Sequence, residues 1–250
     1  MKKKHVGRLR TNLKLADLYQ KIDKLEEAKE TYTDALEIQK DLQQVPDIAE
    51  ANTSFKLASL LLTMTEDKES LCIFQKALAI YSKEAPGSID HVMTLQRIGE
   101  IHMQNMRLPE ALNALQQAID SWPNQNQEDA ADCNRNVGVI HFGEGRYKEA
   151  IPYLNEAIKI YHEHDVLDER FSSSLHLLSV SLLNSDDIDK ANKFIRDGKY
   201  RYFTKSSSQC NQNADVSCNS SGSQKEIEWP EIIGVCTIPA LSWRTRIQAR

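Results

Sequence analysis

Histidine, cysteine and tight glycine turns are where chemistry would show first in this chain. His162-Glu163-His164 puts two imidazoles and a carboxylate within three residues, the donor types that a divalent cation takes. The spacing works against that use. Residues i and i+2 of a helix project from different sides, and a zinc site would still need ligands from elsewhere. The five cysteines, Cys72, Cys133, Cys210, Cys218 and Cys236, are odd in number and scattered without a CxxC pair, so they read as free thiols rather than as a disulfide framework or zinc site. "GEGR" at 143–146 has the glycines of a phosphate loop, but no strand precedes it, and no GxxxxGK[ST], GxSxG or HExxH occurs. With no catalytic constellation and no cofactor or metal motif, the chain is expected to be non-catalytic.

The elements that would have to position such residues are helices. Apolar residues recur at i, i+3, i+4 and i+7 through most of residues 9 to 203, glycine is scarce, and β-branched residues never alternate with polar ones over a useful length. Of the 250 residues, 40% are hydrophobic and 27% charged, the balance of an ordinary soluble protein. A formal net charge of -5 gives no reason to expect nucleic acid, and Lys2-Lys3-Lys4-His5 with Arg8 and Arg10 reads as a solvated basic start. No apolar run approaches the roughly 18 to 20 residues of a membrane span, and the polar first ten residues hold no signal-peptide core. A cytoplasmic protein without membrane or nucleic-acid partners is expected.

One spacing repeats. Ala150, Leu154 and Ala157, four and three apart, reappear as Ala28, Tyr32 and Ala35, as Ser70, Phe74 and Ala77, as Ala111, Leu115 and Ala118, and as Ala191, Ile195 and Gly198. Twelve residues before each set stands a small residue, Ala16, Ala58, Gly99, Gly138 or Ser179, followed three later by Tyr19, Leu61, His102, His141 or Leu182. The small residue lets two helices approach closely, and the bulky one fills the space between neighbouring turns. Five helical hairpins follow. His102 and His141 fall at equivalent positions of successive hairpins, which favours a core role over a catalytic pair. Joints are expected where proline stops the second helix, at Pro46, at Pro86 and at Trp122-Pro123-Asn124.

The pattern resembles the tetratricopeptide repeat over about residues 9 to 203, with "NLKLADLYQKIDKLEEAKETYTDALEI" and "NRNVGVIHFGEGRYKEAIPYLNEAIKIY" as the clearest copies. The sets beginning at Ala28, Ser70, Ala111, Ala150 and Ala191 lie 42, 41, 39 and 41 residues apart, against about 34 for the basic unit. That matches the longer-helix variety of kinesin light chains. The resemblance implies an all-α, right-handed α-solenoid of about five helix-turn-helix repeats, near 9–45, 46–86, 87–124, 125–165 and 166–203, in an array spanning 1–203.

In such arrays the first helices of the hairpins line a concave groove that holds a peptide or partner helix. On the repeat register this implies a binding groove of Asp17, Gln20 and Lys21; Phe55, Ser59 and Leu62; Arg97, Glu100 and Met103; then Arg135, Asn136 and Phe142. The lining is mixed in charge. Leu13 and Asp17 stand where carboxylate-clamp arrays carry lysine and asparagine, so that clamp is not expected, whereas Arg97 and Arg135 suit an acidic peptide.

Residues 204–226, rich in Ser, Asn and Gln, are expected to form a disordered linker. Residues 227–250 form a short segment whose apolar stretch Pro239 interrupts. The reading is a protein-binding adaptor or scaffold, with the resemblance pointing to cargo, cytoskeletal or ciliary assembly. The alternatives are a signalling or polarity adaptor and the regulatory segment of a longer multidomain protein.

Overall fold

Two sequence periods, 3.6 residues within an element and about 40 between elements, become helices and helix pairs. The computed structural model describes residues 2–42, 47–122, 127–166 and 168–185. Among these residues the regular structure is helical throughout, in the order α1 (Lys2–Lys21), α2 (Leu25–Leu42), α3 (Ile48–Thr63), α4 (Asp67–Glu84), α5 (Ile89–Gln104), α6 (Leu108–Ser121), α7 (Gln127–Gly143), α8 (Tyr147–Glu163) and α9 (Glu169–Asn184). The expected joints at Pro46 and Pro123-Asn124, the set Ala191, Ile195 and Gly198, the Ser/Asn-rich linker and the C-terminal segment lie outside the described residues. The first helix already starts at Lys2, ahead of residue 9 where the repeat pattern becomes visible.

The turn inside each hairpin is one backbone device used four times. Asp23, Thr65, Met106 and Gly145 each stand seven residues after the small residue of their repeat, and all four have positive φ, between 59° and 75°. The next residue's amide bonds back across the turn, from Lys24 to Tyr19 O at 2.9 Å, Glu66 to Leu61 O at 2.9 Å, Arg107 to His102 O at 2.8 Å and Arg146 to His141 O at 2.9 Å. The left-handed residue itself donates to the carbonyl three residues before it, as Thr65 does to Leu62 O at 3.1 Å. These paired bonds are the Schellman ending of a helix, which absorbs carbonyls left over at its C-terminus. The same residues lead straight into the second helix, so α4, α6 and α8 begin without a side-chain cap. Helices α3, α5 and α9, by contrast, start from the joints and are capped by side chains. Asp47 accepts the Glu50 amide, Ser88 that of His91, and Asp168 those of Arg170 and Phe171.

Only one of the four turns uses glycine at the left-handed position. A β-branched residue there is strained by its Cβ against the neighbouring carbonyl, by about 1–2 kcal/mol. Thr65→Gly is therefore expected to stabilise the chain by about 0.5–1 kcal/mol after the larger unfolded-state entropy of glycine is subtracted. A urea denaturation midpoint checks this, with Gly145→Thr moving the opposite way.

Packing divides the chain into two compact units, one through Asn136 and the other from Val137, with the boundary inside α7. In the first unit each helix packs on the next, α1 on α2, α2 on α3, and so on to α6, the arrangement of an α-solenoid. Its core has no single centre. Ala16, Ala28, Tyr32, Leu57, Leu60 and Leu61 form one cluster, and Ala58, Phe74, Ile98, Ile101 and Ala114 the next. The close approaches fall at the small residues: Ser70 Oγ donates to the Ala58 carbonyl at 2.7 Å, and a Cβ on Gly99 would stand 2.7 Å from Leu115 Cγ.

In the second unit a Cβ on Gly138 would meet Leu154 Cγ at the same 2.7 Å. Pro152 lies inside α8, where it has no N–H to offer the carbonyl of Lys148, yet the helix runs on to Glu163. Helix α8 packs on α9, and the Arg170 guanidinium lies 5.6 Å from the centre of the Tyr161 ring. Four serines of α9 are buried, Ser173, Ser174, Ser179 and Ser181, as is Ser185 just after the helix. Their hydroxyls bond carbonyls one turn back, as Ser179 does to Leu175 O and Ser181 to Leu177 O, both at 2.7 Å, so none of these buried hydroxyls is stranded.

Candidate functional site

The repeat register assigns one stripe of each first helix to a common face of the first unit. Asp17, Gln20 and Lys21 lie on α1, Phe55, Ser59 and Leu62 on α3, Arg97, Glu100 and Met103 on α5, and Arg135 and Asn136 on the early part of α7. Phe142 belongs to the second unit, where its ring meets that of Tyr147 edge-on at 5.5 Å. Gln20 and Lys21 are exposed, and Asp17, Phe55, Ser59, Leu62, Arg97, Glu100 and Arg135 are half-buried. Met103 and Asn136 are buried at 9% and 8% exposure, so they support this face more than they present themselves on it. Phe55 and Leu62 face both ways, partly open yet packed against the cluster of Ala58 and Phe74, with the Phe55 and Phe74 rings edge-on at 5.4 Å.

Asp17 is held from two sides. The Tyr32 hydroxyl of α2 donates to its Oδ1 at 2.5 Å, and Lys56 Nζ of α3 donates to both oxygens at 2.8 and 3.0 Å. Burial works against the charged carboxylate, but the bonds from Lys56 and Tyr32 outweigh it, and the Asp17 pKa is lowered. One acidic side chain thereby ties three consecutive helices together, and Asp17 is more anchor than free ligand. With side chains about 40–50% exposed (47% for Lys56 and 41% for Asp17), the ion pair itself is worth at most about 1 kcal/mol.

On α5 a similar arrangement stays within one helix. Glu100 accepts from Arg97 at 2.8 Å and from Gln96 at 3.1 Å. Arg135 bonds the Asn136 side chain at 3.3 Å. Lys56 was not among the residues expected from the sequence. It stands two residues before the small Ala58, the position that Arg97 and Asn136 occupy before Gly99 and Gly138, so the register itself carried the signal. With Lys56 included, the first unit's face has Lys21, Lys56, Arg97 and Arg135 against Asp17 and Glu100, a local excess of positive charge on a chain of net charge -5.

The histidines are placed by packing. His102 is 8% exposed and borders an open cavity of about 420 Å³ with Leu78, Leu95, Ile98, Pro109 and Ala114. In the second unit His141 stacks on Tyr153 at 5.6 Å. The Nδ1 atoms of both are buried without a hydrogen-bond partner. His162 and His164 are exposed, and among the described residues no group of three or more His, Cys, Asp or Glu comes together as a metal site. Cys72 and Cys133 are free thiols, the latter buried and pushed well above the usual thiol range by that burial, opposite to what a nucleophile needs.

Burial lowers the pKa of both core histidines. Against that, Glu110 favours and Arg107 opposes protonation at His102, while Arg146 opposes and Glu144 and Glu149 favour it at His141. The unfolded chain, with histidine near 6.5, therefore binds protons that the folded state refuses. Stability present above about pH 6.5 is lost as the pH falls toward the folded values. The thermal midpoint is expected to drop between pH 7.5 and 5.5. It should drop less in His102→Phe/His141→Phe, which keeps the ring on Tyr153 but removes the titrating groups; His91 and His176, lowered by burial as well, account for the remainder.

Among the described residues no helix is long and apolar enough to cross a membrane. The sequence profile described as Tetratricopeptide repeat matches residues 7–83 and 91–163. A search of curated proteins found no matching relative. Among solved structures, an array of nearly identical kinesin-light-chain-type repeats from Podosopora anserina superposes with a TM-score of 0.62 at 16% identity, covering 82% of this chain and 98% of that one. BtubC from P. vanneervenii gives 0.63 at 17% identity over 85% of both chains. Aspartyl phosphate phosphatase F of Bacillus subtilis gives 0.61 at 18% identity, covering 82% of this chain and 52% of its own. At these identities the likeness is one of fold.

Proposed function

The chain belongs to the tetratricopeptide repeat family, and from that premise we propose that it is a non-catalytic adaptor holding a protein segment on the first-helix face of its hairpins. The segment is acidic. The observation that carries this reading is the cation excess of Lys21, Lys56, Arg97 and Arg135 over Asp17 and Glu100, with Phe55 and Leu62 half-exposed between them to take apolar side chains. A carboxylate-rich peptide with one or two large apolar residues matches that surface in charge and polarity, and charge complementarity of this kind sets specificity and on-rate. The likeness in fold to kinesin-light-chain-type arrays favours an adaptor of cargo or cytoskeletal assembly in the cytoplasm, ciliary assembly included.

A peptide array probed with the full chain tests this. Acidic peptides with spaced Leu or Phe should be retained, and their retention should fall as salt rises. Equal retention of charge-reversed peptides would remove the basis of the proposal.

A further inference from the structure

Along α1 and on to Ile22, the residue after it, runs an apolar stripe that the array leaves exposed. Leu15, Leu18 and Ile22 are 38%, 56% and 61% exposed, and Thr11 continues the line toward the N-terminus. Their spacing of four, three and four residues is that of one helix face. On the repeat register Leu15 corresponds to Leu57, Ile98, Val137 and Leu178, and Leu18 to Leu60, Ile101, Ile140 and Ser181. Each of those eight residues is 5% exposed or less. Thr11 likewise corresponds to the buried Thr53, Thr94, Cys133 and Ser174. In the first unit the covering element is known: α2 packs on α3, and Leu57 and Leu60 share a cluster with Ala28 and Tyr32 of α2. The α1 stripe thus has the shape and chemistry of a helix-receiving face.

Its charge says which helix. Residues 2–21 carry Lys2, Lys3, Lys4, Arg8, Arg10, Lys14 and Lys21 against Asp17 alone, with Arg8 on one side of the stripe and Lys14 and Lys21 on the other. Two α1 helices laid face to face would oppose like charges, which disfavours a second copy of α1 as the cover. The helix that covers the equivalent face of α3 is acidic: α2 carries Glu26, Glu27, Glu30, Asp34, Glu37 and Asp41 against Lys29 and Lys40.

We propose that the open face of α1 docks an acidic amphipathic helix, seated over Thr11, Leu15, Leu18 and Ile22 as α2 is seated over α3. This surface adjoins the first-helix groove at Lys21, and its occupant arrives as a helix whose apolar seam is edged by carboxylates.

The probe is a fluorescent peptide of residues 25–42, titrated against the full-length chain by anisotropy. Saturable binding is expected. Leu18→Asp should weaken it at least tenfold and Lys14→Glu at least threefold. A peptide with Glu26→Lys, Glu30→Lys and Glu37→Lys should lose it. Because Leu18 and Lys14 are exposed, helical circular dichroism should not change; if Leu18→Asp does unfold the chain, Lys14→Glu and the charge-reversed peptide still decide the matter. Because the groove is itself proposed to hold acidic peptides, the titration is repeated in the Arg97→Glu/Arg135→Glu chain. Binding that still depends on Leu18 and Lys14 should persist there, whereas its complete loss would assign the peptide to the groove and overturn this proposal, so failure of the two readings is told apart. Binding unaffected by Leu18→Asp would overturn the proposal, as would equal binding of the charge-reversed peptide. A chain dimer abolished by Leu18→Asp, or Leu18-dependent binding to anionic phospholipid vesicles, in the absence of peptide binding would overturn it in favour of a second copy or a membrane.

Discussion

Gly99→Val is expected to lower stability by about 2–4 kcal/mol, a large part of the 5–15 kcal/mol that holds a typical domain together. Leu115 Cγ and Cδ2 would lie 2.7 and 2.9 Å from the first atom of any side chain at this position. That branched carbon sits too near its own backbone to swing clear, and α5 and α6 must separate. Valine's second and third methyl groups add to the clash and bring a poor helix propensity with them. A chemical denaturation midpoint reads the loss, and Gly7→Ala is the control. A Cβ on Gly7 meets nothing within 4 Å, so that substitution should be neutral or gain up to about 1 kcal/mol of helix propensity.

The pairing of partners explains why the small residue varies. Where alanine occupies this position, as Ala16 and Ala58 do, the facing residue is the flat ring of Tyr32 or Phe74. Where glycine does, as Gly99 and Gly138 do, it is the branched Leu115 or Leu154. The two sides are matched in volume, so Gly99→Ala and Leu115→Phe should each destabilise less in combination than their separate costs imply. A double-mutant cycle should return a favourable coupling of about 0.5–2 kcal/mol. Strict additivity would mean that the two positions do not determine how closely the helices pack.

Arg97→Glu combined with Arg135→Glu is expected to weaken capture of an acidic peptide about 100-fold while leaving the melting curve nearly in place. Each arginine lost from a charge-assisted hydrogen bond costs roughly 1.5–3 kcal/mol of binding, and 1.4 kcal/mol is a factor of ten. Arg97 is 41% exposed, so solvent screening keeps the effect near the lower bound. Stability should change little, because the Arg97–Glu100 pair lies within one helix, and reversing it costs only a few tenths of a kcal/mol. Fluorescence titration at low and at high salt checks both halves of the expectation: the parent chain loses affinity as salt rises, and the double variant is weak and nearly salt-independent.

The helical hairpins were readable because their signal is redundant. The small residue, the bulky residue three later and the next helix's ruler each fix the same register, and five copies repeat it. The turn residues were less legible. Asp23, Thr65, Met106 and Gly145 share a backbone conformation and a hydrogen-bond pattern but no side-chain chemistry, so the constraint is written in the main chain. A column of small residues five positions before the first one, Thr11, Thr53, Thr94, Cys133 and Ser174, has no common side-chain type to mark it, yet its members beyond the first repeat are all buried. There Thr94 donates to Asp90 O and Ser174 to Arg170 O, which lets a hydroxyl replace a hydrocarbon at an interface between neighbouring hairpins.

The face was legible as a stripe of positions, because the register assigns it, but the use of each residue was not. The register places Asp17 on the groove stripe, and in the structure it is bonded to Tyr32 and Lys56. Periodicity places a side chain on a face. Which neighbour takes its hydrogen bonds depends on side-chain reach between repeats, and that is a tertiary fact.

Hydrogen exchange of the chain with and without its captured acidic peptide tests the central claim most directly. Added protection is expected to concentrate on the first helices, over residues 13–21, 55–63 and 96–104, and to disappear in Arg97→Glu/Arg135→Glu. Protection confined instead to the second helices, over 67–84 and 108–121, with the first helices unchanged, would contradict a first-helix binding face.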